Sequence, residues 1–294
     1  MVGLKRYRRL EMGFFEGKTA IVTGGGSGIG RALAHALADA GCRVTITDIV
    51  PERIGQVVEE LKAKGVQARG YRVDHSRWEE VEKFANHFLS EWGHVDILCS
   101  NAGVGLGGRF VETSLEDWEW VLGINLWGCI YTLHAFVPHM IERRSGSILI
   151  TASDAGLVSI PGMAAYQTSK YGVVGLGETL RMELYEHGIK VSLLCPGFIN
   201  TNIIRNGRIY LYNSQGRSSK PEIEKFYATR GVDPSVVAAA GLKALEKDIG
   251  IMLVPWSHSG PQYVLKRISP QLYHALFRFL WRKGILHRVF GARP

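Results

Sequence analysis

Apolar and polar positions along this chain switch repeatedly between two periods, and the switching predicts an architecture. Thr19–Thr23 is a short apolar run ending in glycines, Arg31–Ala40 has helical composition, and Arg43–Asp48 is a β-branched run that predicts a strand. Pro51–Lys64 is charged and helical, Gln67–Val73 is strand-like, and Arg77–Trp92 is an amphipathic helix. Val95–Ser100 is a fourth strand, followed by Asn-Ala-Gly. Leu115–Arg144 then gives one long or broken helix, with Trp118, Val121, Leu122, Leu126, Ile130 and Leu133 at helical spacing. Ser147–Thr151 predicts a strand, Ala165–His187 a helix, and Lys190–Cys195 a strand stopped by Pro196-Gly197. The helical run Pro234–Lys247 leads to a seventh strand at Ile251–Val254.

Strands alternating with helices of this length call for right-handed crossovers and a parallel sheet covered on both faces. The predicted fold class is α/β: a doubly wound parallel sheet (Rossmann fold) of about seven strands, in a single domain with a C-terminal helical extension. Nothing between Lys18 and Pro255 reads as a linker, so residues 18–255 form that domain and residues 1–17 precede it as an N-terminal extension. Ile203–Gly231 breaks the rhythm. It is polar and mixed, with Arg205, Arg208, Tyr210, Tyr212, Arg217 and Lys220, and an insertion of that length predicts a substrate lid.

Composition is that of a globular protein, 46% hydrophobic and 21% charged, which excludes disorder and collagen-like structure. The four cysteines, Cys42, Cys99, Cys129 and Cys195, are widely spaced in apolar runs and form neither a CxxC pair nor a zinc-finger pattern, so they are expected as buried thiols. The ten histidines show no metal-binding spacing, and no metal is expected. The net charge of +8 suggests nucleic acid until it is located. Trp256–Pro294 holds seven Lys/Arg and no acid, and residues 1–18 hold five Lys/Arg against Glu11 and Glu16, which leaves the span 19–255 at −2. A near-neutral body argues against nucleic-acid binding.

The extension 256–294 is basic and amphipathic. Leu272, Leu276, Phe279, Leu280, Leu286, Val289 and Phe290 interleave with its bases, so it predicts either a helix packing on the protein or a helix lying on an anionic membrane surface. Arg278, Arg282 and Lys283 interrupt its most apolar stretch, so no membrane span is expected there or elsewhere. The N-terminus begins positive but lacks the apolar core of a secretory signal, and Met12 offers an alternative start. The expectation is a cytoplasmic protein, with peripheral membrane contact through the extension left open.

Two motifs carry chemistry. Thr23-Gly24-Gly25-Gly26-Ser27-Gly28-Ile29-Gly30 joins a strand to a helix, where only glycines let the backbone amides and the helix N-terminus meet a pyrophosphate. Asp48 ends the second strand, where a carboxylate can hold the adenosine ribose hydroxyls and repel a 2′-phosphate. Ser27 and Ile49 stand where an NADP site would want a base, so NAD is the expected cofactor, with Arg31 as the nearby residue that argues the other way. The second motif is Tyr166-Gln167-Thr168-Ser169-Lys170, with Ser153 thirteen residues before the tyrosine. Residues i and i+4 share a helix face, so the Lys170 ammonium is expected to pull the Tyr166 phenol below its ordinary pKa near ~10. Ser153, after the fifth strand, could hold a substrate oxygen.

The glycine spacing TGxxxGxG together with YxxxK resembles the short-chain dehydrogenase/reductase family, from about Gly17 to Val254. That resemblance implies several further roles. Gly24, Ser27, Gly28, Ile29 and Gly30 would face the cofactor phosphates, with Asp48 marking NAD preference and Asp74 approaching the adenine. Asn101-Ala102-Gly103 matches the family's Asn-Asn-Ala-Gly turn, with Ser100 in place of its first Asn. Asn125 would support a proton relay. Pro196, Gly197, Ile199 and Thr201 would cradle the nicotinamide, while Tyr166 and Lys170 serve both catalysis and cofactor binding. The implied activity is NAD-dependent interconversion of a secondary alcohol and a ketone, in a homodimer or homotetramer. Leu157, Val158, Ile160, Pro161 and Met163 precede Tyr166 in an apolar loop, which favours a bulky hydrophobic substrate such as a steroid, terpenoid, retinoid or aryl alcohol. The alternative is a catalytically silent NAD-binding regulator or membrane-docking protein on the same fold.

Overall fold

In the computed structural model, which describes residues 13–212, 216 and 218–283, the predicted rhythm appears as one seven-stranded, wholly parallel sheet. Its strands are β1 (Thr19–Thr23), β2 (Arg43–Asp48), β3 (Ala68–Arg72), β4 (Ile97–Ser100), β6 (Gly146–Thr151), β7 (Ile189–Pro196) and β9 (Ile251–Val254). They lie in the order β3-β2-β1-β4-β6-β7-β9. The order reverses between β1 and β4, which are paired through Val22 and Cys99, and a ligand crevice opens at such a reversal.

Successive strand residues face opposite sides, so one apolar run feeds two cores. On one side Val22, Ile46 and Leu194 pack with Leu33 and Leu37 of α1 (Gly28–Asp39), Val57 of α2 (Pro51–Lys62) and Leu245 of α9 (Pro234–Glu246). On the other, Ile21, Ile148 and Leu193 meet Phe84 and Phe88 of α3 (Trp78–Trp92), Phe136 of α5 (Gly128–Arg143) and Val173 of α6 (Ala164–Glu183). All four cysteines are buried in these layers, as free thiols.

Four features refine the expected layout. α1 begins at Gly28, not Arg31, so the last two loop glycines are its first turn. The long helix is α4 (Leu115–Leu122) and α5 joined through a π-helical turn, Gly123–Trp127, that carries Asn125. By length and composition alone Leu115–Arg143 could cross a membrane, against the expectation of no span. Its buried residues Val121, Leu133, Phe136 and Met140 pack within the protein, as those of a core helix do. Third, Phe15 is only 1% exposed and sits in the first core cluster, so the end of the N-terminal extension belongs to the domain.

The fourth is the C-terminal extension, which is helical as expected. Its described part forms α10 (Trp256–Ile268) and α11 (Pro270–Arg282), and both pack on the domain. Lys266 donates to the Leu157 carbonyl at 2.9 Å and to the Tyr171 hydroxyl. Tyr273, fully buried, accepts from Ser159 N at 3.0 Å and donates to Ser159 O at 2.8 Å. Leu286, Val289 and Phe290 lie outside the described residues.

Candidate active site

The glycine loop is fixed by close approach. Gly24 and Gly28 adopt φ of +63° and +53°, and a Cβ on Gly30 would lie 2.1 Å from Gly24 O. Thr23 Oγ1 accepts from the backbone of Asn101 at 2.9 Å and Ala102 at 3.0 Å, while Asn101 Nδ2 donates to Thr23 O at 3.0 Å. The Asn101-Ala102-Gly103 turn is thereby pinned beside the glycine loop. Asp48 is buried, accepting from Gly26 N at 3.0 Å and Val50 N at 3.1 Å, so it braces the loop that it borders.

Gly24, Ser27, Gly28, Asp48, Asp74 and Thr201 line one cleft, together with Asn101, Ala102 and Gly103. Backbone amides at a helix start, an acid at the second strand and close-packed glycines are what a dinucleotide requires, and the residues fit that cofactor. Asp74 is held by Ser76, whose N and Oγ donate to Oδ1 at 3.0 and 2.7 Å. Arg31, the base that argued for NADP, is engaged by Glu60 at 2.8 Å. Sequence reasoning passed over Arg53 and His75, which line the same cleft. His75 is buried between the hydroxyls of Thr47 and Thr132, at 2.7 and 3.0 Å.

The cleft runs into a second cavity, where β6, α6 and β7 bring together Ser153, Tyr166, Lys170, Pro196, Gly197 and Ile199; Ile29 and Thr201 line it too. Tyr166 and Lys170 stand one helical turn apart, both buried, with Lys170 Nζ 6.0 Å from the phenol ring centre. The expected lowering of the phenol does not occur in the protein alone. Burial pushes Tyr166 up to about 12, and only the Ser153 hydrogen bond pulls the other way. The reason is that Lys170 donates to Thr151 O at 3.1 Å and is itself desolvated, down to about 8.

Asn125 is buried, and its side chain spans two elements. Oδ1 accepts from Val104 N at 2.8 Å, and Nδ2 donates to Val104 O at 3.0 Å and Ser169 Oγ at 3.1 Å. The π turn widens the helix at this residue, a device common at functional sites.

Behind Ser153 lies a group that no local pattern announced. Ser153 Oγ donates to Asp154 Oδ1 at 3.2 Å, and Ser259 of α10 donates to Asp154 Oδ2 at 2.5 Å. Burial raises the Asp154 carboxyl, and these hydroxyls oppose the rise. His258 Nδ1 accepts from Phe198 N at 3.2 Å, which steadies the Pro196-Gly197 turn. The extension therefore supports the site as well as the surface.

The segment 203–231 contains α7 (Ile203–Asn206), β8 (Arg208–Ile209) and α8 (Lys220–Arg230), with β8 paired to β5 (Leu106–Gly107). Two of its bases, Arg208 and Lys220, bond within the protein. Arg208 and Tyr210 bind Asp117 at 2.7 and 3.1 Å, and Lys220 donates to the carbonyls of Arg205 and Gly207. What this segment turns into the cavity is Ile203, Ile204, Ile209 and Tyr227; Arg217 lies outside the described residues. Among the described residues, no group of three or more His, Cys, Asp or Glu could hold a metal ion.

Comparison with known proteins agrees with this geometry. The family model for short chain dehydrogenase matches residues 18–208. The chain is 33% identical over 271 residues to the oxidoreductase EphD of Mycobacterium tuberculosis, which covers 90% of the chain. It spans about half of that longer relative, 45% of its length. It is 34% identical over 200 residues to the oxidoreductase SadH of the same species, covering 67% of the chain and 72% of SadH. A crystal structure of a short-chain dehydrogenase/reductase from Burkholderia phymatum in complex with NAD superposes with a TM-score of 0.81 at 32% identity, covering 88% of this chain and 95% of that one.

Proposed function

The chain belongs to the short-chain dehydrogenase/reductase family of oxidoreductases, which bind a nicotinamide cofactor, and on that premise we propose that it is an NAD-dependent enzyme interconverting a bulky hydrophobic secondary alcohol and its ketone. The observation that carries this reading is the placement of Ser153, Tyr166 and Lys170 on the wall of a cavity lined mainly by apolar side chains, with Asn101, Thr151, Asp154 and Thr201 as its further polar ones. Val104, Leu106, Ile160, Met163, Phe198 and Tyr227 face it, and Asp154 and Lys170 are the charged groups among its described lining residues. Sugars and small acids would leave their polar groups unanswered there.

When bound, the nicotinamide supplies or takes up the hydride. The chain's own residues handle position and proton. Gly24, Gly28 and Gly30 would set the phosphates against the α1 amides, and Asp48 would take the adenosine ribose. Arg31 is engaged by Glu60, and Asp48, which lines the cleft together with Arg53, supports NAD because its carboxylate repels a 2′-phosphate. Ser153 holds the substrate oxygen beside the Tyr166 hydroxyl. The high Tyr166 pKa keeps its proton in place at neutral pH, the state that donates to a ketone oxygen. The reverse direction needs the phenolate, which a charged Lys170 turned toward Tyr166 would favour, with Asn125 on the relay side. The family's habit of assembling as homodimers or homotetramers is extended to this chain, supported by Trp127, Met182 and Tyr185 left exposed.

The test is a panel of steroid, terpenoid, retinoid and aryl alcohols and ketones, with sugars and small hydroxy acids as counter-substrates, each offered with NAD(H) and NADP(H). Turnover of the hydrophobic set with NAD, abolished in Tyr166→Phe, is expected. Turnover confined to small polar alcohols would overturn the substrate assignment.

A further inference from the structure

α11 carries two apolar stripes, and the protein covers one of them. Tyr273, Phe277, Leu280 and Trp281 recur at i, i+4, i+7 and i+8 and are turned toward the domain, buried or half-buried. Leu272, Leu276 and Phe279 recur at i, i+4 and i+7 on another face and are 56, 41 and 53% exposed, with Ile268 at the end of α10 79% exposed. Monomeric surfaces scatter single large apolar residues; an aligned stripe on one helix face marks contact with something else.

The charge around the stripe says what that is. Arg278 and Arg282, both exposed, line the cleft that α11 forms with Ser159, Ile160 and Pro161, Lys283 sits 5.8 Å over the Phe279 ring, and Arg267 adjoins Ile268. Residues 256–294 hold no Asp or Glu, while the body 19–255 carries −2. A second copy set symmetrically on this face would crowd two sets of these bases together with no carboxylate of the segment to answer them. An anionic bilayer answers both features, taking the apolar stripe at its acyl boundary and the bases at its headgroups.

We propose that α11 and the end of α10 form a docking surface for an anionic lipid membrane. The surface adjoins the catalytic cavity. α11 forms a cleft with Ser159, Ile160 and Pro161, and Ile160 also lines the cavity that holds Tyr166. Docking therefore sets the loop before the catalytic tyrosine at the lipid boundary, where a hydrophobic alcohol concentrates. That last step rests on the substrate reading above; the docking itself does not.

Sedimentation of the full chain with phosphatidylglycerol or phosphatidylcholine vesicles tests the docking without any turnover. The chain should bind the anionic vesicles, ignore the zwitterionic ones, and lose binding between 0.1 and 0.5 M salt. Arg278→Gln/Arg282→Gln should weaken binding about 30-fold, taking about 1 kcal/mol per base. Leu272→Ser/Leu276→Ser/Phe279→Ser should weaken it about tenfold or more, with thermal midpoint and NAD binding unchanged because these side chains point outward. Equal binding to both lipids, binding to neither, or variants that bind like the parent would overturn the proposal. So would light scattering that shows a dimer dissociated by the triple substitution. Failure to turn over hydrophobic alcohols would leave the vesicle result standing, so the two readings fail separately.

Discussion

Asn125 grips the peptide of Val104 from both sides, accepting from its N–H at 2.8 Å and donating to its C=O at 3.0 Å. The loop after Asn101-Ala102-Gly103 is thereby fixed to the π turn of the central helix. Asn125→Asp keeps the acceptor but sets a carboxylate against a carbonyl, and Asn125→Ala removes both bonds. Each is expected to lower kcat about tenfold or more and stability by about 1–3 kcal/mol, since buried partners are left unanswered. Steady-state kinetics and denaturant melts decide it, and parental values in Asn125→Ala would refute the role.

Burial of Lys170 has a thermodynamic cost. Its pKa falls from 10.5 to about 8 in the folded protein, so between those values the unfolded chain binds the extra proton and stability rises with pH. Below about 8 the penalty is fully felt, on the order of 3 kcal/mol. Lys170→Met should abolish activity yet raise stability at pH 7 by about 1–3 kcal/mol, as replacing buried charges by apolar groups often does. The gain should shrink by pH 10. Urea melts at the two values would show it.

His75 works in the opposite pH range. Desolvation lowers it to about 4, while Thr47 and Thr132 engage both ring nitrogens of the buried imidazole. The unfolded chain takes up a proton near pH 6.5 that the folded chain refuses, so stability is full above 6.5 and falls toward pH 4. The loss for this one group approaches about 3 kcal/mol. His75→Gln should show a flatter acid limb than the parent between pH 7 and 4.5. An identical slope would remove His75 as the cause.

Asp48 and Arg53, of opposite charge, line one cleft, and the NAD reading rests on Asp48. Asp48→Asn keeps an acceptor for Gly26 N and removes the charge that repels a 2′-phosphate. The ratio of kcat/KM for NAD over NADP should fall about 10- to 100-fold. Arg53→Ala added to that variant should restore part of the ratio by removing the attracting base. If the double variant uses NADP as well as the single one, Arg53 plays no part.

Local signals were legible because local physics sets them. Thr23–Gly30 shows its strand–turn–helix sense in eight residues, and Tyr166 and Lys170 need only one helical turn to meet. What could not be read joins distant positions: Ser259 with Asp154, Tyr273 with Ser159, Arg208 with Asp117. No periodicity announces such meetings. The same gap explains the phenol. The sequence displayed the lysine near Tyr166 but not the depth at which both are buried, and burial won. The segment 203–231 misled for a related reason, since Arg208 and Lys220 serve Asp117 and nearby carbonyls while Ile203, Ile204 and Ile209 face the cavity.

The four thiols hidden in the sheet layers have one more use. Burial raises every one of them, Cys42 and Cys195 to about 12, so in the native state they are protonated and out of reach of a disulfide reagent. Cys99 and Cys195 sit on central strands, Cys42 enters the second, and Cys129 is on the core helix. Their labelling rates are therefore four clocks that tick only when the chain opens, and their relative speeds would map which layer lets go first.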